Sequence, residues 1–134
     1  MNQMNNTLRA LLLAVPLLLA ASAQAQGKAA WKELSSFHTV MSQTFHPAEE
    51  GDLKPIRERS AEMAEKARAW KASAIPAEYK DVKGIEQHLN DLVEGSAKLD
   101  ERIKAGAKDE EVLEYLSALH NVFHNIVGLC RPGH

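Results

Sequence analysis

The chain has 134 residues, of which 45% are hydrophobic and 25% charged, with 7 Gly, 5 Pro and 1 Cys. This composition excludes collagen-like and low-complexity chains, and a single cysteine excludes an intramolecular disulfide framework. Sixteen Lys and Arg against 18 Asp and Glu give a net charge of −2, which is not the electrostatic footprint of a nucleic-acid-binding protein. We therefore expect one small domain and no nucleic-acid partner.

The first segment is typical of a secretory signal peptide. Residues 8–21 form an apolar run behind a polar start that carries Arg9, and the run is shorter than the roughly 20 residues of a permanent transmembrane helix. An Ala-x-Ala cleavage pattern ends at Ala25, with cleavage two residues earlier as the alternative. We therefore predict a signal peptide over 1–25, a domain over 26–134, and a periplasmic product without a permanent membrane anchor.

Beyond the signal peptide, apolar residues recur every three or four positions, and no run alternates as a half-buried strand would. This period predicts an all-α domain of four helices, each with one apolar stripe. The predicted helices span about 28–46, 53–74, 77–105 and 110–130. Because the connections are short, the stripes can pack only against one another, which favours an antiparallel up-down-up-down four-helix bundle.

Proline and glycine residues mark the expected helix ends. Pro47, directly after His46, is expected to end the first helix, and Pro76 to separate the second helix from the third. Gly106 marks the connection between the third and fourth helices. Val82 extends the apolar stripe of the third helix toward its predicted start.

Histidines lie on or beside these stripes, where an unpaired polar ring is unfavourable. His120 and His124 are four residues apart, which places two imidazoles on one side of a helix, close enough to chelate one ion. Counted from the end of the bundle where the first helix meets the second, His38 lies roughly 12 Å deep and His120 about 16 Å deep, at about one level. By the same count, His88 lies about 26 Å deep, near His124 at about 22 Å.

These positions predict a transition-metal site formed by His38, His120 and His124, with His88 as a further ligand. Neutral imidazole suits Zn, Cu and Ni, so the donor type does not select the ion. The alternative is that each histidine at the edge of the core hydrogen-bonds a serine or a backbone carbonyl, or is exposed.

Two further features could serve an ion. The segment that begins at His46 carries three carboxylates within seven residues: Glu49, Glu50 and Asp52. It could hold a cation, or it is a helix end followed by an N-cap, with His46 pointing away from the core. Met41, one turn from His38, could donate a thioether to a soft ion such as Cu(I), or it is a core residue.

Cys130 is the single thiol of a chain that we expect to be exported. Three interpretations of it stay open: a small buried apolar residue, a disulfide to a second copy in a homodimer, and a thiolate ligand. We do not expect an enzyme, because the sequence has no Gly-rich phosphate loop, no Ser-centred nucleophile motif and no Glu-x-x-His signature of di-iron bundles.

The export signal, the four helices and the pair Phe123-His124 in the last helix resemble the periplasmic b-type cytochromes of four-helix-bundle form. In that family a Met on the first helix and a His on the last helix are the axial ligands of a noncovalent haem. The resemblance implies electron transfer by haem b, with His124 as one ligand and His38 or Met41 as the other.

The c-prime cytochromes share this architecture and carry Cys-x-x-Cys-His near the end of the last helix. The corresponding segment here is Cys130-Arg-Pro-Gly-His134, which lacks one Cys and displaces the His. Covalent haem is therefore not expected. Three hypotheses follow: a metal-binding protein for trafficking, buffering or sensing, a haem-binding electron carrier, and a structural or chaperone-like bundle whose histidines are incidental.

Overall fold

The computed structural model describes residues 31–131. The predicted signal peptide and its cleavage site, the first residues of the predicted first helix and the tail after Arg131 lie outside the described residues. The described part contains four α-helices and no strand: α1 (Lys32–Glu49), α2 (Lys54–Ala72), α3 (Ile85–Lys104) and α4 (Asp109–Leu129). The predicted all-α class and the four-helix bundle are confirmed for this part of the chain.

Each helix packs on its neighbour in sequence, and α1 also packs on α4. The shared interior is apolar and centres on Trp70, a residue of α2 that is fully buried. Its indole ring contacts Phe37 of α1 at a centroid distance of 5.7 Å and Phe123 of α4 at 6.1 Å. None of the helices in the described range is long and apolar enough to cross a membrane.

The end of α1 differs from the predicted end at His46, because the helix continues through Pro47 to Glu49. Proline has no backbone N–H, so the carbonyl of Gln43 loses its usual helical donor, and α1 ends two residues after Pro47. The Pro47 carbonyl still accepts the backbone N–H groups of Glu50 at 3.1 Å and Asp52 at 2.9 Å. His46 therefore lies in the last turn of α1 rather than in the following loop.

The start of α3 is also corrected, from the predicted residue 77 to Ile85. The chain first forms a short 3₁₀ turn over Ala77–Tyr79 and then a loop that ends at Gly84. Gly84 has φ +95°, a left-handed conformation that glycine adopts readily, and its carbonyl accepts the N–H of His88 at 3.0 Å. Val82 packs against the core from this loop, so its place in the apolar pattern does not mark a helix.

Candidate metal-binding cleft

A surface cleft of about 170 Å³ is lined by residues of α1 and α4 only. The α1 residues come three, four and eight positions after His38, so they follow one another along one side of the helix. The α4 residues come three and four positions after His120 and do the same. The seven side chains that line the cleft are His38, Met41, Ser42, His46, His120, Phe123 and His124. Four of the histidines named as candidates in the sequence therefore share one cleft.

His120 and His124 form the closest pair in the cleft. Their Nε2 atoms are 3.0 Å apart, and their rings stand nearly perpendicular, at 81°. This distance fits a hydrogen bond in which one neutral imidazole donates its N–H to the other. Two imidazole nitrogens bound to one Zn²⁺ at tetrahedral angles are about 3.3 Å apart. The pair thus already stands at nearly the separation that two ligands of one ion require.

The ring of His120 stacks on the ring of Phe45. The two rings are nearly parallel, at 14°, with centroids 3.8 Å apart. Burial, as the largest cause, lowers the pKa of His120 below its usual range. Protonated His124 and His46 lower the pKa further, while the carboxylate of Glu49 opposes them. His120 consequently keeps the neutral form, which ligates metals, to a lower pH than an exposed histidine does.

His38 and His46 reach the cleft from α1. His38 is exposed, and its ring stacks on Phe123 at a centroid distance of 5.4 Å and an angle of 8°. The side chain of His46 is 68% exposed, and its Nδ1 lies 3.3 Å from Oε2 of Glu49. His46 points away from the core, as expected from its helical angle, and still lines the cleft because the cleft opens at the surface.

The carboxylates near His46 have different partners. Only Glu49 contacts the imidazole, and an oxygen of Asp52 instead accepts the backbone N–H of Lys54 at 3.1 Å, at the start of α2. Within 31–131, no group of three His, Cys, Asp or Glu side chains is arranged to hold a metal ion as it stands. The preformed part of the candidate site is therefore the imidazole pair of α4.

His88 and Cys130 lie elsewhere. His88 is not among the described residues that line the cleft; its Nδ1 is 3.8 Å from Asp91, and its ring lies beside Gly84 at the start of α3. Because the buried stripe of α3 begins at Ile85, His88 falls at the side of that stripe. Cys130 is buried at the end of α4 and contributes to the raised pKa of Tyr79, for which burial is the main cause.

Phenylalanines support the histidines in a way that the sequence analysis missed. The apolar pattern assigns Phe45 and Phe123 to the core, and both are buried, but each also stacks on an imidazole of the cleft. A signal was present in the sequence, since each of the chain's three Phe residues is followed directly by His. Each such pair places a buried phenylalanine ring next to a more polar histidine ring in the sequence.

Comparisons with protein families, with curated proteins and with solved structures find no match to this chain. The resemblance to four-helix-bundle cytochromes is therefore neither supported nor opposed by a relative.

Proposed function

We propose that this chain is an exported four-helix-bundle protein that binds one transition-metal ion in the cleft between α1 and α4. His120 and His124 supply two nitrogen ligands, and α1 supplies a further ligand. Binding of this kind suits trafficking, buffering or sensing of a metal ion outside the cytoplasm. The observation that carries the proposal is the 3.0 Å separation of the two Nε2 atoms in a pair that belongs to one helix.

The pair is suited to metal binding because its geometry is set before an ion arrives. Phe45 fixes the ring plane of His120 by stacking, and the helix fixes the spacing to His124. To bind an ion through both Nε2 atoms, the donating ring shifts its proton from Nε2 to Nδ1 and stays neutral, and the ion then takes the place of the hydrogen bond without a large movement of either ring. The lowered pKa of His120 reduces competition from protons at neutral pH.

Histidines of α1 can complete the coordination. His38 and His46 line the same cleft, and both side chains are exposed, so either ring can turn toward the pair without breaking core packing. A histidine that is only weakly held, as His46 is by Glu49, loses little when it turns. An ion with three nitrogen ligands and one open position would then connect α1 to α4.

We also infer that the helices follow the antiparallel up-down-up-down order. Trp31, directly before α1, donates its indole N–H to Ser73, directly after α2, at 2.8 Å. Arg57 in the first turn of α2 pairs with Asp109 at the start of α4 at 2.6 Å. These contacts support a bundle in which α1 begins where α2 ends and in which α2 and α4 begin at the same end.

Haem is the alternative ligand, because His38 or Met41 and His124 line one cleft. The space favours an ion, since cofactor pockets typically hold about 300–1,000 Å³ and this cleft holds about 170 Å³. Small residues that could have left room for a porphyrin are instead buried in close packing: Ser60, Ala64, Ala67 and Ser96. The volume of the cleft therefore supports an ion over a haem.

Metal binding by untagged protein tests the proposal. We expect Zn(II), Cu(II) or Ni(II) to bind with one-to-one stoichiometry by titration calorimetry. Replacing His120 or His124 with Ala should weaken binding by about tenfold or more, because each change removes a ligand. His88→Ala is the matched control, since it removes a histidine outside the cleft and should leave the affinity unchanged.

Three other results would support a different site or a different function. Full affinity in His120→Ala together with loss in His46→Ala would move the site to the end of α1. A Soret band on reconstitution with haem that disappears in His124→Ala would favour an electron carrier. Absence of both metal and haem binding would leave a structural or chaperone-like bundle.

A further inference from the structure

The donor set of the cleft has no acidic member. Among the described residues that line it, the potential ligands are four imidazoles, one thioether and one hydroxyl, and none is Asp or Glu. Glu49 acts electrostatically on His120 and contacts the ring of His46, but it is not among the described residues that line the cleft. An ion in the cleft would therefore be held by neutral groups.

Met41 is the most buried potential ligand of this cleft. It is among the residues that line the cleft, yet it is only 1% exposed. It lies one turn from His38 on α1, and the imidazole pair of α4 lines the same cleft. A thioether in this place is the one soft donor that the cleft contains, and thioethers select soft ions such as Cu(I).

We propose that the cleft selects a soft monovalent cation, Cu(I), and that Met41 supplies the α1 ligand beside the imidazoles of His120 and His124. This inference rests on the proposed function and names the class of ion. The ideal cost of moving an ion out of water grows with the square of its charge, so a divalent ion pays about four times as much as a monovalent one of equal size. With no carboxylate in the lining to compensate, the neutral N₂S set favours the single charge.

Matched methionine variants test the role of the thioether. Met41→Leu removes the sulfur with little change in volume, and Met63→Leu does the same at a fully buried position of α2 away from the cleft. All proteins carry Cys130→Ala, because a thiolate also binds soft ions. Affinities for Cu(I), in anaerobic competition with a bathocuproine chelator, and for Ag(I) and Zn(II) are compared.

We expect Met41→Leu to lower the affinities for Cu(I) and Ag(I) by about tenfold or more and to leave Zn(II) binding nearly unchanged. Met63→Leu should change none of the three affinities. Copper-edge X-ray absorption of the Cu(I) complex should show a sulfur neighbour that is lost in Met41→Leu.

Two results would overturn the inference. One is unchanged Cu(I) affinity in Met41→Leu, and the other is Zn(II) binding as tight as Cu(I) binding in the parent protein. If either occurs while His120→Ala still abolishes metal binding, the metal site stands and the choice of ion is wrong. If no ion binds at all, the proposed function fails as well.

Discussion

Several groups around the ring of His120 affect its pKa. Burial and the imidazoles of His124 and His46 disfavour the charged ring, and Glu49 favours it. His38 faces the same cleft from α1 and adds a further positive charge when it is protonated. The lowered pKa of His120 has a consequence for stability, because the unfolded chain has the ordinary pKa of about 6.5.

We predict that His120 titrates below the ordinary range of histidine and that stability falls as the pH falls. Below about pH 6.5 the unfolded chain binds a proton that the folded chain still excludes, so the unfolding free energy decreases until the pH passes the folded pKa. Histidine Cε1–H signals in NMR titrations report the pKa, and urea unfolding between about pH 7 and 5 reports the stability. His120→Gln should reduce this pH dependence.

Removing the carboxylate of Glu49 gives a second check on the same equilibrium. Glu49→Gln should lower the pKa of His120 further, since Glu49 is the neighbour that raises it. Glu50→Gln, an exposed change one residue later, should leave the His120 titration as it is. An unchanged His120 pKa in Glu49→Gln would contradict the assigned electrostatics.

The sequence predicts part of this residue-scale chemistry. The spacing of His120 and His124 within one helix is sufficient to place their rings together, and the helical rise places His38 near their level. It does not place His46 in the cleft, because its helical angle points away from the core and the sequence does not show that the cleft opens at the surface. Nor does it place His88, which falls at the side of the buried stripe of α3 and is not among the described residues that line the cleft.

Among the helices, α3 shows where periodicity misleads. A proline and a continuous apolar pattern predict a start near residue 77, whereas the helix begins at Ile85. Tyr79 stacks on Trp31 at 6.3 Å from the intervening turn, so an apolar residue there contacts the core without being helical. The other three helices begin and end within about four residues of their predicted bounds. Each has a strong apolar stripe, and a strong periodic stripe is a reliable sign of a helix.

We predict that Gly84→Ala destabilises the fold by about 1–2 kcal/mol, because an L-residue is strained at its φ of +95°. The space around the added methyl is not the cause, since the nearest atom, Cδ1 of Leu129, is at an ordinary 3.6 Å. Gly128→Ala is the control within a helix; nothing lies within 4 Å of its added Cβ, so it should be neutral or slightly stabilising. Denaturant unfolding measures both.

Equal stability of Gly84→Ala and the parent protein would mean that the loop before α3 can relax out of the left-handed conformation. Strong destabilisation by Gly128→Ala would instead point to a contact made by the end of α4 that the described residues do not include.

At the scale of the whole molecule, large apolar side chains occupy the interior of the described part. Trp70 is fully buried among aromatic rings of α1 and α4, and small residues on α2 and α3 are buried as well. From sequence, small residues on an apolar stripe are compatible with either a cofactor space or close packing. The alternatives cannot be separated without the positions of the large side chains, which fill the space between the helices.

We predict that Ala67→Leu destabilises the protein by about 1–3 kcal/mol, because Ala67 has no exposed surface and a larger side chain must displace its buried neighbours. The thermal midpoint and the urea midpoint should both fall. Ala72→Leu, at the exposed end of α2, is the control and should have little effect. An Ala67→Leu protein as stable as the parent would indicate an interior space large enough to reopen the haem hypothesis.

The cleft joins the first and the last of the four helices, so its two walls are separated by most of the described chain. During synthesis, α1 is complete long before α4 exists, and the pocket arises only when the final helix has docked. Folding of the chain, and not binding of the ion, therefore offsets the entropic cost of closing that long loop. A cation bound by both α1 and α4 could bind only after the chain has folded. Metal occupancy would therefore report that folding of the protein is complete.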